Sequence, residues 1–113
     1  MYDFNKIRRL LQKHEYYYVF SQAKKLVTDE FIILYRHNTI GHARLGLALS
    51  KKMVAKAHDR NRLKRLLRET FRTQYNLPAI DIIVLARAGA GRAQRLIVAT
   101  NLAKLWRKVH VTL

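Results

Sequence analysis

The chain has no cysteine. That excludes disulfide cross-links, a thiolate nucleophile and a Cys-ligated zinc site, and it fits a reducing compartment. A single proline and four glycines exclude a flexible linker or a low-complexity tail. Long apolar runs are missing as well. The amino-terminal MYDFNKIRRLLQKHE holds no signal-peptide core, and the most apolar stretch, AIDIIVLARAGAG, is too short and too interrupted to cross a bilayer. The expectation is a soluble cytoplasmic protein without membrane contact. Negative charge is scarce: 7 Asp and Glu stand against 23 Lys and Arg, for a formal net charge of +16.

What is present fits a folded domain. Half of the residues are hydrophobic, enough for a single domain over residues 1–113 that buries about two-thirds of its unfolded surface. A folded chain that keeps so large an excess of one charge calls for a polyanionic partner.

The pattern predicts the order α, β, β, α, β, α. Tyr16, Val19 and Phe20 recur at helical spacing and predict a helix over 12–22. EFIILYRHN and HARLGLALSKK read as two strands forming a hairpin, and a further short strand is expected around KKLVT. In the second of the pair, Gly46, Ala48 and Ser50 leave a slim face flanked by Arg44, open either to another chain or to a packing helix. AIDIIVLAR is apolar on both faces, as a central strand requires, with Asp81 as a buried carboxylate or an edge residue. The final segment places Val98, Leu102, Leu105, Trp106 and Val109 at helical spacing, with Trp106 read as core. The sum is an α+β fold, an α/β sandwich with a small mixed sheet, in which the helix between RLGLALS and DIIVLAR is a crossover.

That crossover helix, expected over 57–75, carries the most informative pattern. Leu63, Leu66, Leu67, Thr70 and Phe71 form its apolar stripe. At about 100° per residue, Asn61, Arg65, Arg68 and Arg72 fall opposite the stripe, Arg60 and Lys64 on one shoulder, and Arg62 on the other near Glu69. Asp59 and Glu69 are too few to compensate. A phosphate backbone is the fitting counter-charge.

A protein hydrolase needs an acid and base pair, or a cluster of carboxylates and histidines for metal. The available groups form no such constellation. His58 beside Asp59 is the nearest approach to a dyad, and it reads as a solvent-facing pair or a helix-start interaction. The GAG at residues 89–91 reads as a turn, lacking the third glycine of a nucleotide fingerprint.

The stretch LALSKKMVAKAHDRNRLKRLLRETFR resembles the signature of the bacterial ribonuclease P protein subunit, with its RNR motif at Arg60, Asn61 and Arg62. The similarity continues in order through RRLLQKHEYYYVF, the strand pair, AIDIIVLAR and LAKLWRK. It implies the accessory protein of a ribonucleoprotein enzyme that removes the 5′ leader of precursor tRNA, with the ribonuclease P RNA as catalyst and no active site in the polypeptide. It also implies a left-handed βαβ crossover, contrary to the usual hand. Magnesium would be held mainly by RNA, and no cofactor or obligate protein partner is implied.

By position in that family, Lys56, Arg60, Asn61, Arg62, Lys64, Arg65 and Arg68 would contact the catalytic RNA. Guanidinium forks suit phosphate oxygens and exposed bases, and Asn61 suits a base edge or a 2′-hydroxyl. Arg60 or Lys64 could instead shield the core with its stem. The resemblance further implies a cleft for the single-stranded leader, edged by Tyr16 and Phe20, where bases stack without sequence preference. Tyr35 is a weaker aromatic candidate there, while Lys51 and Lys52, following the polar-faced strand, would sit at the cleft mouth and steer leader phosphates, and Arg44 could do the same from the strand face. Two rivals remain at this point, a ribosomal-type structural RNA-binding protein and a DNA-binding helix module.

Overall fold

The computed structural model describes residues 8–74, 77–92 and 95–111. The elements are α1 (Lys13–Ser21), β1 (Lys24–Val27), β2 (Phe31–His37), β3 (Arg44–Ala48), α2 (Ala57–Arg72), β4 (Ile80–Ala86) and α3 (Arg95–Val111), with a 3-10 turn over Ala90–Arg92. The GAG stretch is therefore a turn, with Gly89 at φ +92° in the left-handed region that favours glycine. Tyr75, the expected end of α2, lies outside the described residues.

The strands form one mixed sheet in the order β1-β2-β4-β3. β1 pairs antiparallel with β2, β2 antiparallel with β4, and β4 parallel with β3. The short strand in KKLVT exists, and it is the hairpin partner of β2. The expected hairpin between β2 and β3 does not form: β4 lies between them. The reason is burial. β4 is apolar on both faces and loses least by taking the slot covered on both sides, whereas β3, with its slim face, is left at an edge. The β3-α2-β4 crossover joins two adjacent parallel strands, as expected.

Strand alternation divides the core in two. On one face Phe31, Ile33 and Tyr35 of β2, Leu45 of β3, and Ile82 and Val84 of β4 meet the α2 stripe and the α3 residues Val98, Leu102, Leu105, Trp106 and Val109. Trp106 is fully buried; it donates from Nε1 to Thr70 Oγ1 at 3.0 Å and meets Phe71 edge to face at 5.8 Å. On the other face, Ile83 packs with Leu10 and Val19, flanked by Tyr16, Leu34, Ala48 and Leu85. Among the described residues α1 and Leu10 cover this second face, and α1 is short.

Candidate nucleic-acid interface

Helix α1 starts where Glu15 Oε1 accepts the backbone N–H groups of Leu11 and Gln12 at 2.8 and 2.9 Å, satisfying donors that an open helix end leaves unpaired. Val19 points into the core and is its one fully buried residue. Tyr16 and Phe20, one turn apart, therefore share a face. Phe20 is 46% exposed and lines a shallow apolar hollow with Leu11, Tyr16 and Tyr17.

Tyr16 also leans onto β3. Its hydroxyl donates to the Leu10 carbonyl at 3.4 Å, and a Cβ built on Gly46 would stand 2.7 Å from the Tyr16 oxygen. The slim face of β3 is thus occupied by a helix of the same chain. Burial raises the pKa of the Tyr16 phenol; an N–H from Leu47 opposes that, and the Glu15 charge adds to it. At neutral pH the group is a phenol that can donate.

The hollow on the other side of Tyr16 links the aromatic helix to the basic one. Tyr16, Gly46 and Leu47 line it together with Arg9, Lys64 and Arg68. A second depression adjoins it, walled by Arg9, Asn61, Lys64, Arg65, Arg68, Glu69 and Arg72. The α2 cations and the aromatic face of α1 thus border hollows that share lining residues, Lys64 and Arg68 on one side and Tyr16 on the other.

The acids of α2 are engaged near its two ends. Asp59 meets His58 Nε2 at 3.0 Å and Arg62 at 3.8 Å, and Glu69 accepts from Arg72 at 2.7 Å. His58 and Asp59 are thus a helix-start pair. Among the described residues no carboxylate pairs with Lys64, Arg65 or Arg68, so the middle of the helix presents its charge outward.

The remaining predicted residues fall into different places. Arg62 donates to the Gly91 carbonyl at 2.6 Å, on the flank of α2 that faces the 3-10 turn. Arg60 turns inward and donates to the Val54 and Ala55 carbonyls, both at 2.9 Å, tying the preceding loop to the helix. Lys52 and Lys56 line a third hollow with Arg92 and Asp59, and Lys51 is exposed in the same loop. This is separate from the hollows beside Tyr16, where Lys51 and Lys52 were expected.

Two expectations are corrected. Tyr35 is 2% exposed and belongs to the main core. It shares the face of Phe31 and Ile33, opposite to α1, and cannot edge the cleft. Arg44, expected as a cation at the cleft mouth, has its guanidinium engaged inside the protein, by Asp81 at 2.8 and 2.9 Å and by Glu15 at 2.6 Å.

This order of elements, with an RNR helix crossing between parallel strands beside an aromatic helix, is that of a known family, and the sequence model of Ribonuclease P matches residues 4–110. The chain belongs to the ribonuclease P protein family. It is 59% identical over 109 residues to the ribonuclease P protein component of Legionella pneumophila strain Corby, covering 96% of this chain and 95% of that one. It is 44% identical over 112 residues to that of Pasteurella multocida strain Pm70, covering 98% and 93%. The RNase P protein of Staphylococcus aureus has the same fold, with a TM-score of 0.84 at 29% identity over 91% of this chain and 97% of that one. Its place is therefore that of the protein subunit of ribonuclease P, an RNA-binding component of tRNA processing.

Sequence reasoning missed several residues of this ribonuclease P surface. Arg9 lines both basic hollows because Leu10 N–H bonds to the Leu45 carbonyl at 3.0 Å, laying the amino-terminal strand residues along β3. The Arg-Arg pair in KIRRLL was its signal. Register puts Val27, Ile32, Leu85 and Ala48 in one row on the face that α1 shares, with Val27 51% exposed. That row gives the face an apolar floor, which alternation could have shown had the strand order been known.

Proposed function

We propose that this subunit binds the catalytic ribonuclease P RNA through the outward cations of α2 and holds the single-stranded leader of precursor tRNA along the Tyr16 and Phe20 face of α1. The observation that carries the reading is the shared hollow, in which Tyr16 stands with Lys64 and Arg68. A stacking platform beside a phosphate-binding row is what an unpaired strand needs, and it does not select for sequence. An enzyme that processes many precursors gains from that indifference.

Cleavage in this account is carried by the RNA, with magnesium held mainly there. Four of the carboxylates are engaged within the protein, Glu15 and Asp81 with Arg44, Glu30 with Asn101 and Glu69 with Arg72. The whole chain acts as one RNA-binding domain, in the cytoplasm where precursor tRNA is made; no helix among the described residues is long and apolar enough to cross a membrane.

The test is cleavage of a 5′-extended precursor tRNA by a bacterial ribonuclease P RNA at low magnesium, with and without the protein. Strong activation that requires the RNA is expected. Absence of activation by folded protein that still binds RNA would favour a structural RNA-binding role.

A further inference from the structure

The proposed leader site depends on α1, a helix of nine residues with one fully buried side chain. Packing alone gives so short a helix little purchase on the sheet. Arg36 of β2 ties down the last turn of α1, donating to the Tyr18 carbonyl at 2.6 Å and to Ser21 Oγ at 3.0 Å, and a chain of charge-assisted bonds holds its first turn. Asp81, at the start of the central strand β4 and 1% exposed, accepts from Asn38 Nδ2 at 2.8 Å and from two nitrogens of Arg44. Arg44, on edge strand β3, reaches with its remaining terminal nitrogen to Glu15 Oε2 at 2.6 Å. The other oxygen of Glu15 holds the first turn of α1. Every link is short, and the guanidinium fork fixes direction as well as distance.

Building on the leader reading above, we infer that Glu15, Arg44 and Asp81 form a positioning strut that sets the height of Tyr16 and Phe20 over the sheet, and thereby the strength with which the leader is held. The strut runs from the centre of the sheet through its edge to the residue next to Tyr16. Asn38 extends it to the loop between β2 and β3, through its bond to the His42 carbonyl at 3.0 Å. The three charged side chains are engaged with one another and act through the aromatic pair.

The sign of the effect separates this role from simple electrostatics. Removing a carboxylate beside a polyanion should by charge alone strengthen binding. Loss of a strut should weaken it. Glu15→Gln keeps an oxygen for the Leu11 and Gln12 N–H groups but turns an amide donor towards Arg44, and Arg44→Lys keeps the charge but loses the fork.

The experiment measures holoenzyme affinity for precursor and mature tRNA with each variant, alongside assembly with the catalytic RNA and circular dichroism of the protein. A Tyr16→Ala/Phe20→Ala protein is the reference, alone and combined with Glu15→Gln. The strut predicts that both single variants fold, assemble normally and lose about three- to tenfold of the precursor preference. It also predicts no further loss from Glu15→Gln in the reference background. Unchanged or tighter precursor binding by either folded variant, or full additive loss in the combination, overturns the strut. If the reference protein itself keeps its preference, the leader reading fails, and the inference falls with it.

Discussion

Gly46 shapes the seat of Tyr16 through the side chain it lacks. Its missing side chain is the space that the Tyr16 ring fills. Gly46→Ala is expected to push that ring off β3, at an overpacking cost of about 1–3 kcal/mol, and to lower the preference for precursor over mature tRNA while sparing RNA assembly. Unchanged preference would show that the seat of Tyr16 on β3 does not matter. Glu15 offers a test by pH. Burial works to raise its pKa, but the N–H groups of Gln12 and Leu11 and the Arg44 guanidinium together hold it below its ordinary value. A carboxylate lowered on folding gives stability that is present above its unfolded pKa, about 4.3, and is lost as pH falls through the folded value. Urea unfolding of wild type and Glu15→Gln should therefore differ by a constant amount from pH 7 to pH 5, and the gap should close only in stronger acid. A gap that closes nearer neutrality would contradict the assignment.

At the scale of elements, α2 was the most legible part of the sequence, because its stripe and its charges are local in the chain. The stripe residues Leu63, Leu66, Leu67 and Phe71 are all buried, and Asn61, Arg65 and Arg68 line one open hollow. Replacing Arg65 and Arg68 with Ala should weaken assembly with the catalytic RNA and reduce its salt slope by about 0.7–0.9 per lost phosphate contact; a slope that stays as in wild type removes them from the interface. The sheet was less legible. FIILYRH is apolar at both parities, so the sequence alone could not tell which face held the larger core, and Tyr35 was misplaced for that reason. Arg44 finds Asp81, 37 positions later, only because β3 and β4 are neighbours. That adjacency was hidden by the local signal for a hairpin.

Across the whole molecule, the excess of positive charge is made effective by where the few acids go. Glu15 and Asp81 are spent inside the α1 joint, Glu30 is buried against Asn101, and Asp59 and Glu69 pair near the ends of α2. In the mid-α2 groove Lys64, Arg65 and Arg68 then outweigh Glu69, the one acid on its wall, and Tyr16 stands beside them. A general RNA-binding protein could use that charge, but it would have no need of a face formed by half-buried Tyr16 and exposed Phe20. The central claim is thus leader discrimination. It is tested most directly by the affinity of the RNA with and without the protein for a 5′-extended precursor and for the matching mature tRNA at one fixed salt and magnesium concentration. The account predicts that the protein tightens precursor binding about tenfold more than mature binding, the worth of one or two stacked bases. Equal tightening of both tRNAs would contradict it.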